Sequence, residues 1–445
     1  MSYTPTFFLR RFLPFLFVLF GSAAFFSSCT NDEEDETETK TSNQITAGLP
    51  VLMDRKGSLA DSAEWPRTKA KDAELRMRIQ QNPDDLKARL QLAAIFITEA
   101  RITGEHPYYY PAILTMLDAV LTRDPNNFEA TVYKASVKMS QHQFAEGRDL
   151  ALKARDLNPA NAYAYGMLVD ANVELGNYQE AVRMSDSMQK LKPSLESYSR
   201  ASYLREIYGD YPGAIQGMQM AANAGLPGSE PESWSRTTLG YLYEKTGRLD
   251  EAEGEYNTIL KIRPSYAFAL RGMARIKAAR RDTAAALSLL DKAAGIMPEF
   301  SFYEDKADLL AASGKSQEAQ KLYGDVSRML DEDAASGHTV NLEKARLFVR
   351  MGALDSAQFY AAKEYAVRPE NIDVNAAMAW IAFQKNEYPK AAQYMKIALR
   401  TGIKDPEVLY RASKIAEATG NTAQSAHYLA EAKKVNPSFS TVFYN

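Results

Sequence analysis

The 445-residue chain contains a single cysteine, Cys29, so an intramolecular disulfide and a thiolate metal site are both excluded. Histidine is scarce too: His106, His142, His338 and His427 are the only four. No two of them share a helix face at metal-ligand spacing, and no His-Glu-x-x-His occurs. Neither a Gly-x-Ser-x-Gly elbow nor a Gly-rich phosphate loop after a strand is present. Formal net charge is only −3, and no basic stripe points to nucleic acid. Acidic pairs such as Glu251 and Glu255 stand one helical turn apart, where solvated charge is the plain reading. The one long apolar run, Phe12 to Phe20, stays shorter than the roughly 20 residues of a spanning helix even when extended to Phe26. These absences lead to an expectation of no catalysis, no metal and no cofactor.

What is abundant is repetition. A small residue recurs at Ala112, Gly147, Ala181, Ala214, Ala252, Ala286, Ala319, Ala357, Ala391 and Ser425. Successive spacings are 35, 34, 33, 38, 34, 33, 38, 34 and 34 residues. A second small position runs in step: Ala135, Val169, Ser202, Gly240, Ala274, Ala307, Ala345, Ala379 and Ser413, with only Val169 larger. Between the two lies a turn position: His142, Gly176, Gly209, Gly247, Arg281, Gly314, Gly352, Asn386 and Gly420. Glycine reaches positive φ without strain and Asn tolerates it, so seven of these nine suit a helix C-cap. Prolines 125, 159, 193, 264, 298, 369 and 437 close most units. Two helices that cross closely need a small residue at the contact and large apolar neighbours around it.

The unit from Trp234 to Pro264, with Leu239, Gly240, Tyr243, Gly247, Arg248, Ala252 and Tyr256, resembles the tetratricopeptide signature. Trp234 stands two residues before the signature's Trp position, which holds Arg236. The resemblance covers roughly residues 67–437. It implies an all-α, right-handed tetratricopeptide-type solenoid of about ten helix-turn-helix repeats, each packed only on its neighbours. A helical segment from Lys69 to Gln81 is expected to cap the first unit. Ser197 to Ile276 is further similar to a subgroup of bacterial tetratricopeptide proteins, with no enzymatic activity implied.

The N-terminus has the order of a secretory signal: Arg10 and Arg11, then the apolar run, then Gly21 to Ala24. Phe26-Ser27-Ser28-Cys29 resembles a bacterial lipobox, with Phe26 in place of the usual Leu. The resemblance implies cleavage after residue 28 and lipid on Cys29. Residues 29–66 are expected to form a flexible tether, opening with the acidic run Asp32 to Glu36. That run is similar to the export signal of Bacteroidetes-type surface lipoproteins. The expected location is the outer membrane, on its surface or periplasmic face. Residues 438–445 remain as a C-terminal tail.

Three irregularities stand out. Gly104 to Ala112 reads as a lengthened inter-helix loop whose Tyr108, Tyr109 and Tyr110 either fold back over the first helices, the favoured reading, or present a flat amphipathic surface to a partner. The two 38-residue spacings place extra residues near 225–230 and 331–337, read as surface loops. In tetratricopeptide proteins the first helix of each unit lines the concave face. The residue after each small position there is Ser136, Asp170, Tyr203, Tyr241, Arg275, Asp308, Arg346, Trp380 or Lys414. Aromatic and Arg side chains dominate interface hot spots. The expected partner site is therefore Tyr203, Trp234, Tyr241, Phe268, Arg275, Arg346 and Trp380, with Arg271 and Phe383 nearby. None of the nine positions is Asn, so the family's carboxylate clamp does not carry over. The expected function is a membrane-anchored scaffold binding a protein or peptide in its groove. The alternatives are capture of a glycan or other polymer for uptake, and an enzyme acting through an unrecognised site.

Overall fold

The computed structural model describes residues 49–56, 59–60 and 64–438. The proposed signal, Cys29, the acidic run and most of the C-terminal tail lie outside them. The described residues form 21 helices and no strand. Helix α1 (Trp65–Gln81) precedes ten helix pairs. Units one to three are α2 (Leu86–Thr103) with α3 (His106–Arg123), α4 (Phe128–Ser140) with α5 (Phe144–Leu157), and α6 (Ala162–Glu174) with α7 (Tyr178–Leu191). Units four to six are α8 (Leu195–Ile207) with α9 (Tyr211–Ala224), α10 (Glu230–Lys245) with α11 (Leu249–Ile262), and α12 (Ala267–Ala279) with α13 (Thr283–Ile296). Units seven and eight are α14 (Phe300–Ala312) with α15 (Ser316–Ala335) and α16 (Asn341–Arg350) with α17 (Leu354–Val367). Units nine and ten are α18 (Ile372–Gln384) with α19 (Tyr388–Ala398) and α20 (Pro406–Ala418) with α21 (Thr422–Val435).

Local chemistry sets these boundaries. The side chains of Asn127, Asn161, Asp210, Asn371 and Asp405 each accept a backbone N–H at a helix start. Ser194 and Ser197 form a reciprocal capping box ahead of α8. All nine turn positions have positive φ, and that includes His142, Arg281 and Asn386. The period thus imposes the turn conformation even where the residue is neither Gly nor Asn. The small positions are buried where helices cross: Ala135, Ala307, Ala345 and Ala379 on the first helices, Ala181, Ala252, Ala357 and Ala391 on the second.

The stack does not stay open. After about six repeats it comes back on itself, and turns of the first half meet loops of the second. Thr339 donates its backbone N–H to the Gln141 carbonyl at 2.8 Å. Asn371 donates to the Glu174 carbonyl at 2.9 Å, and Thr401 to the Ile207 carbonyl at 2.8 Å. Many partners across this seam are 194–198 residues apart in sequence, with Lys245–Asp405 at 160 and Arg400–Gly176 at 224. The approach is backbone to backbone. A Cβ added at Gly176 would lie 2.5 Å from Glu370, and one at Gly209 would lie 2.5 Å from the Gly402 carbonyl. At Gly314, Gly352 and Gly420, beyond the first superhelical turn, an added Cβ meets nothing within 4 Å.

Three expectations change. The stretch after Gly104 is not a long loop, because α3 begins at His106. Pro107 fills a first-turn position, where its missing N–H costs nothing. Tyr109 and Tyr110 are buried core, while Tyr108 stays partly exposed. Second, residues 331–335 are helical, because α15 runs on to Ala335. Only 336–340 form the loop. Third, the packed part starts before residue 67. Residues 49–56 lie against unit one, held by Tyr108 and Tyr109 hydroxyls on the Val51 and Met53 backbone. Arg55 there is buried and paired with Glu99 through Nε and Nη2 and with Glu64 through Nη1.

Candidate interior binding site

Closure of the superhelix turns the concave groove into an interior. Its walls are the first helices, and most of their charges pair with a neighbouring first helix. Arg200 grips Asp170 at 2.7 and 3.0 Å. Arg275 grips Glu244 at 2.8 Å through two nitrogens. Arg271 grips Asp305 at 2.6 and 2.8 Å. Burial works against the Arg275 charge, but the Glu244 carboxylate overrides it and holds the guanidinium well above its ordinary pKa. Lys245 joins Glu206 of unit four to Asp405 across the seam.

A cavity of about 180 Å³ remains, lined by side chains from units one to nine. Its apolar wall includes Phe144, Trp234, Phe268, Phe300 and Leu342. Four arginines reach it: Arg101, Arg271, Arg346 and Arg368. Three of them are committed. Arg101 pairs with Glu230 at 2.9 Å, Arg271 with Asp305, and Arg368 with Glu174 and Glu364. Among the described residues Arg346 makes no ion pair and no side-chain hydrogen bond. Its charge is felt nearby: burial, then Arg346 and Arg350, push the Arg411 guanidinium below its ordinary pKa, against the pull of Glu407. No group of three or more His, Cys, Asp or Glu among the described residues could hold a metal ion.

Of the seven expected partner residues, Tyr203, Trp234, Phe268 and Arg346 line this cavity. The other three do not. Tyr241 is 2% exposed and lies between the cations of Lys245 and Arg275, at 4.9 and 5.6 Å from its ring. Arg275 is consumed by Glu244. Trp380 is buried, stacked on Phe383 at 4.8 Å with the Arg411 guanidinium 5.0 Å from its ring. The expected cluster around Tyr241 and Arg275 is thus inter-unit packing. The +1 position sends Tyr203 and Arg346 to the cavity but Tyr241, Arg275 and Trp380 into contacts between neighbouring first helices. The wider space lies at their N-terminal ends. The residue six before the small position supplies Trp234, Phe268, Ser301 and Asp373 to the cavity. That register was available in the sequence. Phe144, Glu174 and Arg368 were not, since only the closure brings them there.

A tetratricopeptide repeat family model matches residues 134–184, and a second matches residues 235–266. Both fall on helix pairs described above. The chain carries tetratricopeptide repeats. Curated proteins give no match. Among solved structures, the array is similar to a tetratricopeptide protein of Thermus thermophilus at 19% identity. That alignment covers 43% of this chain and 97% of that one, with a TM-score of 0.38. A tetratricopeptide protein from Parabacteroides merdae aligns at 14% identity over 55% of this chain and 93% of that one, TM-score 0.40. Yeast Tom70 aligns at 15% identity over 79% and 85%, TM-score 0.37. At these scores the likeness carries nothing about ligand or partner. No helix among the described residues is long and apolar enough to cross a membrane.

Proposed function

We propose that this protein is a lipid-anchored tetratricopeptide scaffold that takes a short extended segment of a partner protein into the interior of its superhelix. Arg346, on an aromatic-walled cavity and without an ion pair among the described residues, carries this reading. A cavity of about 180 Å³ holds one or two side chains, not a helix. Arg346 fits an acidic group of the segment, and Trp234 and Phe268 fit an apolar one beside it. Arginine is suited to carboxylate because its planar fork donates two parallel hydrogen bonds. Anchoring rests on Cys29 and the signal-like segment before it, which favour an outer-membrane location.

Pull-down with the mature protein identifies the partner, and calorimetry then measures Arg346→Ala. Loss of a hot-spot Arg costs about 2 kcal/mol, or roughly thirtyfold in affinity. Arg346→Ala should leave the fold unchanged, since no ion pair or side-chain hydrogen bond among the described residues is lost. A variant that binds the isolated partner as tightly as the parent rejects the cavity as the site. Aromatic faces on a cavity wall also suit sugar rings, so a glycan is the second reading. Binding to oligosaccharides but not to any protein would select it.

A further inference from the structure

Three of the four histidines, distant in sequence, meet at one place: the seam between units one and two and the 336–340 loop. The His106 and His338 rings lie 6.1 Å apart, and Tyr110 stacks on His338 at 5.5 Å. Tyr110 also packs on His106 at 5.0 Å. His142 Nδ1 is 3.0 Å from the Thr339 carbonyl, so it donates there. Besides these ring contacts, the loop is pinned by hydrogen bonds, and among the described residues, 336–340 make no ion pair. Gln143 donates to the Gly337 carbonyl at 2.7 Å, Gln141 to the Ser336 carbonyl at 3.2 Å, and Thr339 returns a bond to Gln141. Elsewhere the seam is held by buried ion pairs, Glu174 with Arg368 and Asp405 with Lys245. His106 and His142 also line the interior cavity.

We propose that this histidine seam is an acid-opened gate, which separates unit two from the 336–340 loop and exposes the interior cavity. The gate does not depend on what the cavity binds. Burial, then the neighbouring His338 and Arg101, push the His106 imidazole down to about 3. Burial, then His142, push His338 down to about 4, against a hydrogen bond to the Asp333 backbone and the charge of Glu343. Both rings are therefore neutral when the seam is closed. An opened seam returns them toward the ordinary value of about 6.5. The opened form then binds more protons, so closure is favoured above about pH 6.5 and progressively lost as pH falls toward 4. Asp333 acts in the opposite sense. Burial, then Glu299, raise its carboxyl to about 6, with Glu343 and Glu332 adding to the rise and His142 opposing it. Its protonation in the closed form favours closure as pH falls. One carboxyl stands against two imidazoles with larger shifts, so opening prevails.

Amide hydrogen exchange of the full-length protein, corrected for intrinsic rates, tests the gate at pH 7.5 and pH 5. Protection of residues 139–143 and 333–340 should fall about tenfold or more at pH 5. Residues 371–376 and 401–410, behind the ion-paired seam, should change less than about twofold. The double variant His106→Phe, His338→Phe keeps the ring stacking and removes the titration, so it should stay protected at pH 5. Retained protection in the parent at pH 5, or equal loss in the double variant, overturns the proposal. If that variant is already unprotected at pH 7.5, the single His338→Gln variant replaces it, with a reduced pH response expected and an unchanged one decisive against the gate.

Discussion

The ring of Tyr256 lies where units five and six cross, between two glycines. A Cβ added at Gly240 would lie 2.5 Å from that ring, and one at Gly272 only 2.4 Å. The Tyr256 hydroxyl donates to Glu244, which also receives Arg275. One residue thus ties close helix packing to the ion pairs of the interior wall. Gly240→Leu must displace the ring and disturb that pair. Overpacking of this kind costs about 1–3 kcal/mol. A thermal melt followed by circular dichroism should show a lowered midpoint, and an unchanged one would place the helices farther apart. Positive φ at His142 and Arg281 belongs to the same scale. There the repeat geometry overrides the steric preference of an ordinary side chain.

At the scale of elements, each unit uses its first helix twice. One end packs on the neighbouring unit and the other faces the cavity or the seam. Lys245, at the end of α10, is 2% exposed and answers two carboxylates, one from α8 and one ahead of α20. Burial disfavours its charge, yet Asp405 and Glu206 hold its pKa well above the ordinary value. The ammonium therefore stays charged throughout the physiological range. Lys245→Met fills the space but strands both carboxylates. Breaking a buried pair from one side costs about 3–5 kcal/mol. Urea unfolding should show this loss at pH 7. A cost below about 1 kcal/mol would mean that water reaches the pair.

For the whole molecule, closure has one main consequence. A repeat array held only by neighbours behaves as a one-dimensional chain of units. Here bonds across 194–198 residues join the two halves and make an interior. Under the proposed function, the partner is then a segment that enters, not a surface that docks along an open groove. The proposed attachment is a property of the whole chain and would rest on Cys29. Cells carrying Cys29→Ser should release the protein from the membrane fraction, since stable anchoring needs two or more acyl chains. A variant that fractionates with membranes like the parent would remove the anchor assignment.

The sequence alone determined the helix pairs, their number, their turns and their close contacts. Gly240, Ala252 and Gly247 act within one unit or between neighbours, so a period of about 34 residues records them. The polar caps were equally local. The interior was only partly legible: Trp234, Phe268, Tyr203 and Arg346 could be placed on the concave side, but not Tyr241, Arg275 and Trp380 in the packing between units. That division depends on how tightly neighbouring first helices press together, which side-chain type does not reveal. The tertiary structure alone decided the closure. Gly176 against Glu370, His106 against His338, and Lys245 against Asp405 are pairings between repeats about five to seven units apart. A small rotation per repeat, summed over six repeats, sets whether those edges meet. No local pattern encodes that sum, because every repeat looks alike whether the superhelix closes or stays open.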